Sequence, residues 1–251
     1  MSFLGRLRTL LTAAWLLLTT TAGSADEIYV AVASNFSRTL QTIATRFEAA
    51  TGHRINMSVG ATGKHYAQIR HGAPFDIFFA ADSRRPALLE SENIALPGSR
   101  FTYALGKLVL WSPREGYVDD QGSILETEDF SHLAIANPRL APYGKAAKEV
   151  LQARKLWDAL KGRTVRGENI GQTFQFVKSG NAELGFVAWS QIRQPGKPVS
   201  GSFWDIPQQL YTPIRQQAVL LKRSKPAQAF ASFVKSNTAQ AIIRESGYDL
   251  P

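Results

Sequence analysis

The chain has 251 residues, 44% of them hydrophobic and 20% charged, with 19 Gly, 12 Pro and no Cys. That composition excludes a disordered chain, a collagen-like repeat and a long coiled coil, and the lack of cysteine removes disulfides, thiolate metal sites and cysteine nucleophiles. Four histidines (His53, His65, His71 and His132) leave little from which to assemble a zinc site, and the net charge of +9 comes from basic residues scattered in ones and twos rather than from the stripe a phosphate backbone requires. A mild positive bias of this kind suits an anionic small ligand, not a nucleic acid.

Residues 1–25 read as a secretory signal peptide. Arg6 and Arg8 form a short basic region, Leu10 to Leu18 is almost entirely apolar, and Gly23-Ser24-Ala25 supplies the small residues expected before a cleavage site. The apolar run is shorter than the ~20 residues a membrane-spanning helix needs. Cleavage after Ala25 would leave 27 basic and 20 acidic residues, a net charge of +7, and would place the mature protein in the periplasm.

From residue 26 onward short β-type runs alternate with amphipathic stretches. Ile28 to Ala33 reads as a buried strand, followed by a helical stripe of Phe36, Leu40, Ile43, Ala44 and Phe47. Arg54 to Val59 is a second strand, leading through Gly60-Ala61-Thr62-Gly63 into a helix with Tyr66 and Ile69. Phe75 to Ala80 is a third, with Asp82-Ser83 capping a helix through Leu88 and Leu89. The middle of the chain starts afresh, with strands at Lys107 to Trp111, Leu133 to Ala136 and Leu184 to Ala188, and helices at Tyr143 to Ala153 and Gly171 to Lys178. A strand at Gln217 to Leu221 follows, then a helix opened by Ser224-Lys225-Pro226 and a last one opened by Asn237 and stopped by Gly247. The pattern predicts an α/β protein with mostly parallel sheets, and the apolar faces of the last two helices are expected to pack on the first sheet.

In open α/β sheets the ligand lies beyond the carboxyl ends of the strands. Four strand-to-helix joints share one chemical character: Ala33-Ser34-Asn35, Gly60-Ala61-Thr62-Gly63, Ala141-Pro142-Tyr143-Gly144 and Gly167-Glu168-Asn169-Ile170-Gly171. Each offers small, hydroxyl or amide residues at a predicted helix start, where free N–H groups and the positive end of the helix dipole can hold an anion. Ser, Thr and Asn at such positions also serve as plain N-caps; the force of the pattern lies in four such turns drawn from two α/β units. Gly60 to Gly63 is too closely spaced for a phosphate loop, and His65 stands where that loop needs Ser or Thr. No G-x-S-x-G or H-E-x-x-H motif is present, and the four histidines read as surface or capping residues, so no enzyme is expected.

Together, Val32-Ala33-Ser34-Asn35-Phe36, Val59 through Ile69, Gly72-Ala73-Pro74-Phe75-Asp76 through Asp82, Ala136-Asn137-Pro138 with Ala141-Pro142-Tyr143-Gly144, and Leu184-Gly185-Phe186-Val187-Ala188 resemble the periplasmic molybdate-binding components of ABC transporters, the ModA family. The resemblance spans essentially the whole mature chain in order. It implies a two-lobed type II periplasmic-binding-protein fold with the ligand cleft at the hinge, lobe 1 being residues 26–105 and 212–251 and lobe 2 residues 106–211. It further implies a monomer without cofactor that captures molybdate or tungstate and hands it to a membrane permease.

Carried over residue by residue, the resemblance assigns oxyanion binding to Ser34, Asn35, Thr62, Tyr143 and Ile170. Hydroxyls would come from Ser34 and Thr62, and backbone N–H groups from Asn35, Thr62, Tyr143 and Ile170; molybdenum would be held as its oxyanion and not through direct metal ligands. Thr62 replaces the usual Ser and keeps the hydroxyl. Ala188 stands where some members place a ligand-contacting Tyr, so a phenol contact would have to come from Tyr143 or be absent. The competing expectations are a binding protein for sulfate, phosphate or ferric ion, which for iron would want converging Tyr or carboxylates, and an exported hydrolase.

Overall fold

A computed structural model describes residues 26–127 and 129–251, and the signal-peptide reading of residues 1–25 lies outside the described residues. The first apolar run forms β1 (Glu27–Ala33) and the stripe after it α1 (Ser37–Thr51). The next two strand–helix units are β2 (Arg54–Gly60) with α2 (Thr62–Arg70) and β3 (Ile77–Ala80) with α3 (Arg84–Ser91). After them come β4 (Phe101–Gly106), β5 (Leu108–Ser112), the short α4 (Ile124–Thr127), β6 (Leu133–Ala136), α5 (Pro142–Ala153), α6 (Trp157–Leu160), β7 (Thr164–Gly167) and α7 (Ile170–Lys178). The chain finishes through β8 (Leu184–Ala188), α8 (Trp189–Ile192), β9 (Ser202–Asp205), β10 (Ile214–Leu220), α9 (Lys225–Val234) and α10 (Asn237–Glu245), the last opening at Asn237 as expected, with Ser236 as its N-cap.

These strands form two five-stranded sheets, ordered β2-β1-β3-β10-β4 and β7-β6-β8-β5-β9, one at the centre of each lobe. Both sheets are mixed, where the sequence pattern predicted mostly parallel ones. In the first, β1 runs parallel to β2 and β3, while β10 is antiparallel to β3 and β4. The second repeats the arrangement, with β6 parallel to β7 and β8 and β5 antiparallel to β8 and β9. In each sheet one strand runs against the others, β10 in the first and β5 in the second, and it is the strand the chain forms on arriving from the other lobe; β4 and β9, from which the chain departs, run in the direction of the strand–helix units.

Alternation along the strands supplies both faces of each sheet. Ile28, Val30 and Val32 point to one side, where they meet Leu40, Ile43 and Phe47 of α1 together with Phe230, Val234 and Ile243 of α9 and α10. The final helices therefore do cover the first sheet. On its other side Ala31, Phe78 and Val219 pack against Ile69 of α2 and Leu89 of α3. In the second lobe Leu108, Leu110, Ile135 and Phe186 face Ala147, Val150 and Leu151 of α5, while Val109, Ala134 and Val187 face Val177 of α7.

One glycine shows how closely these helices approach the strand ends. A Cβ on Gly144, in the first turn of α5, would stand 2.2 Å from the Ala136 carbonyl oxygen at the end of β6, a separation only glycine allows. It brings the N-terminus of α5 down onto the carboxyl end of the sheet, beside the equivalent ends of the first lobe.

Candidate functional site

Ser34, Asn35, Thr62, Tyr143 and Ile170 line one small cavity between the lobes, with Ala33, Gly60, Ala61, Ala81, Ala141, Pro142 and Asn169 completing its wall. About 10 Å³ is open there to the centre of a water molecule, on the order of a single small sphere. Among the described residues, no charged one lines it. Asn35, Thr62, Tyr143 and Ile170 are at most 5% exposed.

The donor arrangement follows from how each turn uses its backbone. Ser34 N–H donates to Gly60 O and Phe36 N–H to Ala33 O, leaving the Asn35 N–H between them. Thr62 opens α2 after an extended Ala61, and the next donors are taken, Gly63 N–H by Leu140 O and both Lys64 and His65 N–H by Ala61 O. Tyr143 is the second residue of α5, after Pro142, so its N–H is among the four that a helix cannot satisfy internally. Ile170 opens α7, where Gly171 N–H donates to Ser34 Oγ and Gln172 N–H to Asn169 Oδ1. Among the described residues the N–H groups of Ala61, Gly144 and Asn169 at these turns have no protein acceptor, and of the expected binding residues those of Asn35, Thr62, Tyr143 and Ile170 are all likewise without one. Three of them lie at helix starts, where the dipole adds partial positive charge.

Each of the two hydroxyls has one lone pair engaged. Ser34 Oγ accepts from Gly171 N–H across the lobes at 3.1 Å, and Thr62 Oγ1 accepts from Ala81 N–H at 3.0 Å. Each keeps its O–H free to donate. Neither acts as the N-cap of its own helix; that bland role falls to Asn169 alone among the four turns.

Behind the cavity lies a buried polar network that sequence reasoning missed. Gln216, on the bulge of β10, is fully buried; its Oε1 accepts from Asn35 Nδ2 at 2.7 Å, and its Nε2 donates to the Tyr143 hydroxyl at 3.5 Å. Asn35 Nδ2 also donates to the Tyr248 hydroxyl, which donates in turn to Asn35 O and accepts from Ser190 Oγ. The Tyr103 hydroxyl lies 3.0 Å from Ala80 O and 3.2 Å from Gln216 Oε1. Burial raises the phenol pKa of Tyr103 and Tyr143 well above the ordinary value and pushes Tyr248 up to about 12, so all three stay neutral donors at physiological pH. The Tyr143 phenol therefore faces the hinge glutamine, and the residue's N–H is what it offers to the cavity. Ala188 is fully buried and caps α8, supplying nothing polar from its side chain. The available signal for Gln216 was the polar pair Gln216-Gln217 inside β10, directly before the apolar run Ala218-Val219-Leu220.

His65 departs from its expected surface or capping role. It is 2% exposed, with Nδ1 3.1 Å from Gln68 Oε1, its ring edge-on to Phe75 and Phe78, and Nε2 without a partner. It packs behind Gly60, where a Cβ would meet Nε2 at 3.0 Å, and so supports the turn carrying Thr62.

Two mixed α/β lobes closing on a cavity walled by neutral donors define a solute-binding protein of the type II periplasmic class. The chain matches the family model for bacterial extracellular solute-binding protein over residues 28–249, and it belongs to that family. It is 51% identical to the molybdate-binding protein ModA of Azotobacter vinelandii, covering 91% of this chain and 92% of that protein, and 46% identical to ModA of Rhodobacter capsulatus, covering 90% and 89%. The solved structure of the A. vinelandii periplasmic molybdate-binding protein superposes with a TM-score of 0.87 at 45% identity, covering 89% of this chain and 99% of that one. The sulfate-binding protein SubI of Mycobacterium tuberculosis shares the fold, with a TM-score of 0.71 at 15% identity, covering 90% and 87%. The protein is a binding protein and not an enzyme.

Proposed function

We propose that the protein binds molybdate or tungstate in the periplasm and delivers it to the permease of an ABC transporter. The observation that carries this reading is the set of donors around one uncharged cavity: N–H groups of Asn35, Thr62, Tyr143 and Ile170 and hydroxyls of Ser34 and Thr62. The names of the relatives above supply the ligand class. In this reading residues 1–25 are removed on export, residues 26–105 and 212–251 form one lobe and 106–211 the other, and the mature chain works as a monomer.

Recognition proceeds without reaction. A tetrahedral dianion sits among neutral donors whose geometry is fixed before it arrives, and each hydrogen bond to the charged ligand contributes ~1.5–3 kcal/mol before ordering and desolvation costs. Several together reach micromolar affinity or tighter, about −8 kcal/mol. The same donors discriminate. Protonated phosphate brings an O–H that needs an acceptor, and the walls of this cavity offer mainly donors, Ser34 Oγ and Thr62 Oγ1 each having already given one of two lone pairs to Gly171 and Ala81 respectively. Sulfate carries the same charge on a smaller frame, so separation from it rests on how well each anion fills the site.

Calorimetric titration of residues 26–251 with molybdate, tungstate, sulfate and phosphate tests the reading. Saturable micromolar or tighter binding of the first two, with the others at least tenfold weaker, is the expected result. Preferred binding of sulfate or phosphate would move the protein to another substrate.

A further inference from the structure

Beside the small cavity lies a much larger cleft, about 390 Å³, lined from both lobes. The two adjoin, with Ala81, Ala141 and Pro142 lining both. The charge of the cleft is one-sided. Arg84 at the start of α3, Arg139 in the connection before α5 and Arg215 near the start of β10 are exposed on its walls, and none has an ion-pair partner among the described residues. Its other charges pair internally, Arg85 with Asp82 and Lys145 with Glu149.

Elsewhere around the junction the lobes are bridged by neutralised or engaged cations. Lys64 pairs with Glu168 across the lobes at 2.9 Å, Lys107 pairs with Asp249, and the Arg38 guanidinium donates to the carbonyls of Ser190 and Arg193. Of these cations, apart from Arg38, which carbonyls hold in place, those without a counter-charge among the described residues are the three arginines on the walls of the 390 Å³ cleft.

We propose that this cleft is the approach route and encounter site for the dianion, with Arg84, Arg139 and Arg215 setting the association rate while taking no part in the final bound state. The inference rests on the oxyanion-binding reading above. A cavity of neutral dipoles holds an anion well at contact but attracts it weakly from a distance, because dipole fields fall off faster than those of net charges. A cleft carrying net charge between low-dielectric walls concentrates anions and raises on-rates by roughly 10- to 1000-fold, an effect that salt screens. Separating the cations from the binding cavity also keeps an Arg–oxyanion pair from slowing release to the transporter.

The test is stopped-flow binding of molybdate, followed by tryptophan fluorescence, to the wild-type protein and to the triple variant Arg84→Gln, Arg139→Gln, Arg215→Gln over a range of NaCl concentrations. A control variant, Arg54→Gln, Lys155→Gln, Lys178→Gln, removes the same charge from the ends of β2, α5 and α7 remote from the cavity. The expected result is an association rate constant lowered about tenfold at low salt in the cleft variant, with a shallower salt dependence, an unchanged dissociation rate and a near-wild-type control. An unchanged association rate, a loss appearing only in dissociation, or an equal fall in the control would overturn the proposal. Absence of molybdate binding by the wild-type protein would overturn it at an earlier point, by removing the reading on which it stands.

Discussion

The Ser34 hydroxyl of the first lobe accepts the Gly171 N–H of the second at 3.1 Å, so one side chain both closes the lobes and aims a proton into the cavity between them. In the proposed oxyanion site this atom links closure to binding. Replacing Ser34 with Ala is then expected to remove a donor to the dianion, a loss of ~1.5–3 kcal/mol, or roughly ten- to hundredfold in Kd. Calorimetry with molybdate is expected to show that loss with little change in thermal stability, since Ser34 is only partly buried.

Thr62 is expected to behave differently because its partner is buried. Thr62→Ser keeps the hydroxyl and should bind molybdate within a few-fold of wild type. Thr62→Ala should weaken binding as Ser34→Ala does and also leave the Ala81 N–H without its acceptor, costing about 1–3 kcal/mol of folding stability. Parallel titrations and denaturant unfolding separate the two effects, and equal stability of the Ala and Ser variants would contradict the assignment.

The hinge offers a steric probe of the network behind the site. A Cβ on Gly106 would lie 2.2 Å from the Tyr143 hydroxyl and 2.9 Å from Gln216 Nε2, so Gly106→Ala must displace the tyrosine or the glutamine. Overpacking of this kind typically costs about 1–3 kcal/mol, and here it should also weaken molybdate binding by tilting the first turn of α5. Gln216→Leu is expected to act in the same direction, because it removes the 2.7 Å acceptor of Asn35 Nδ2. Unfolding and titration of both variants check this; wild-type affinity in both would separate the network from the site.

His65 gives the protein a defined pH response. Burial lowers its pKa below the ordinary 6.5, with the nearby Lys64 charge acting in the same direction against the opposing Gln68 hydrogen bond. The unfolded state therefore takes up a proton at a higher pH than the folded state. The resulting stabilisation is complete above pH 6.5 and is lost as the pH falls from there through the folded-state pKa. Thermal unfolding measured from pH 7.5 down to pH 5 should show a larger fall in Tm for wild type than for His65→Gln. Identical pH profiles would contradict the burial argument.

Much of this architecture was legible because the informative units are local. A continuous apolar strand, a small-residue turn and a 3.6-residue stripe sit next to one another in the chain, so β1 with α1 and β2 with α2 could be read, and with them the turns carrying Ser34, Asn35 and Thr62. The short edge strands β7 and β9 and the returning β4 escaped notice because four to six residues offer little periodicity and their pairing partners are distant in sequence. The same holds for the network. Asn35 meets Gln216 across 181 positions and Tyr248 across 213, and no local pattern announces such contacts. His65 was misread because its burial comes from Phe75, Phe78 and Gly60, which surround it only once β3 has folded against α2.

In the proposed binding mode, neutral donors from both lobes hold the anion while the arginines of the adjoining cleft stand apart from it. A crystal structure of residues 26–251 grown with molybdate, with the metal located by its anomalous scattering, tests this most directly. The account predicts a single molybdenum peak in the small cavity, its oxygens within hydrogen-bonding distance of the Asn35, Thr62, Tyr143 and Ile170 N–H groups and the Ser34 and Thr62 hydroxyls, with no Arg or Lys in contact. A peak held by Arg84, Arg139 or Arg215 in the larger cleft, with the small cavity empty, would contradict it.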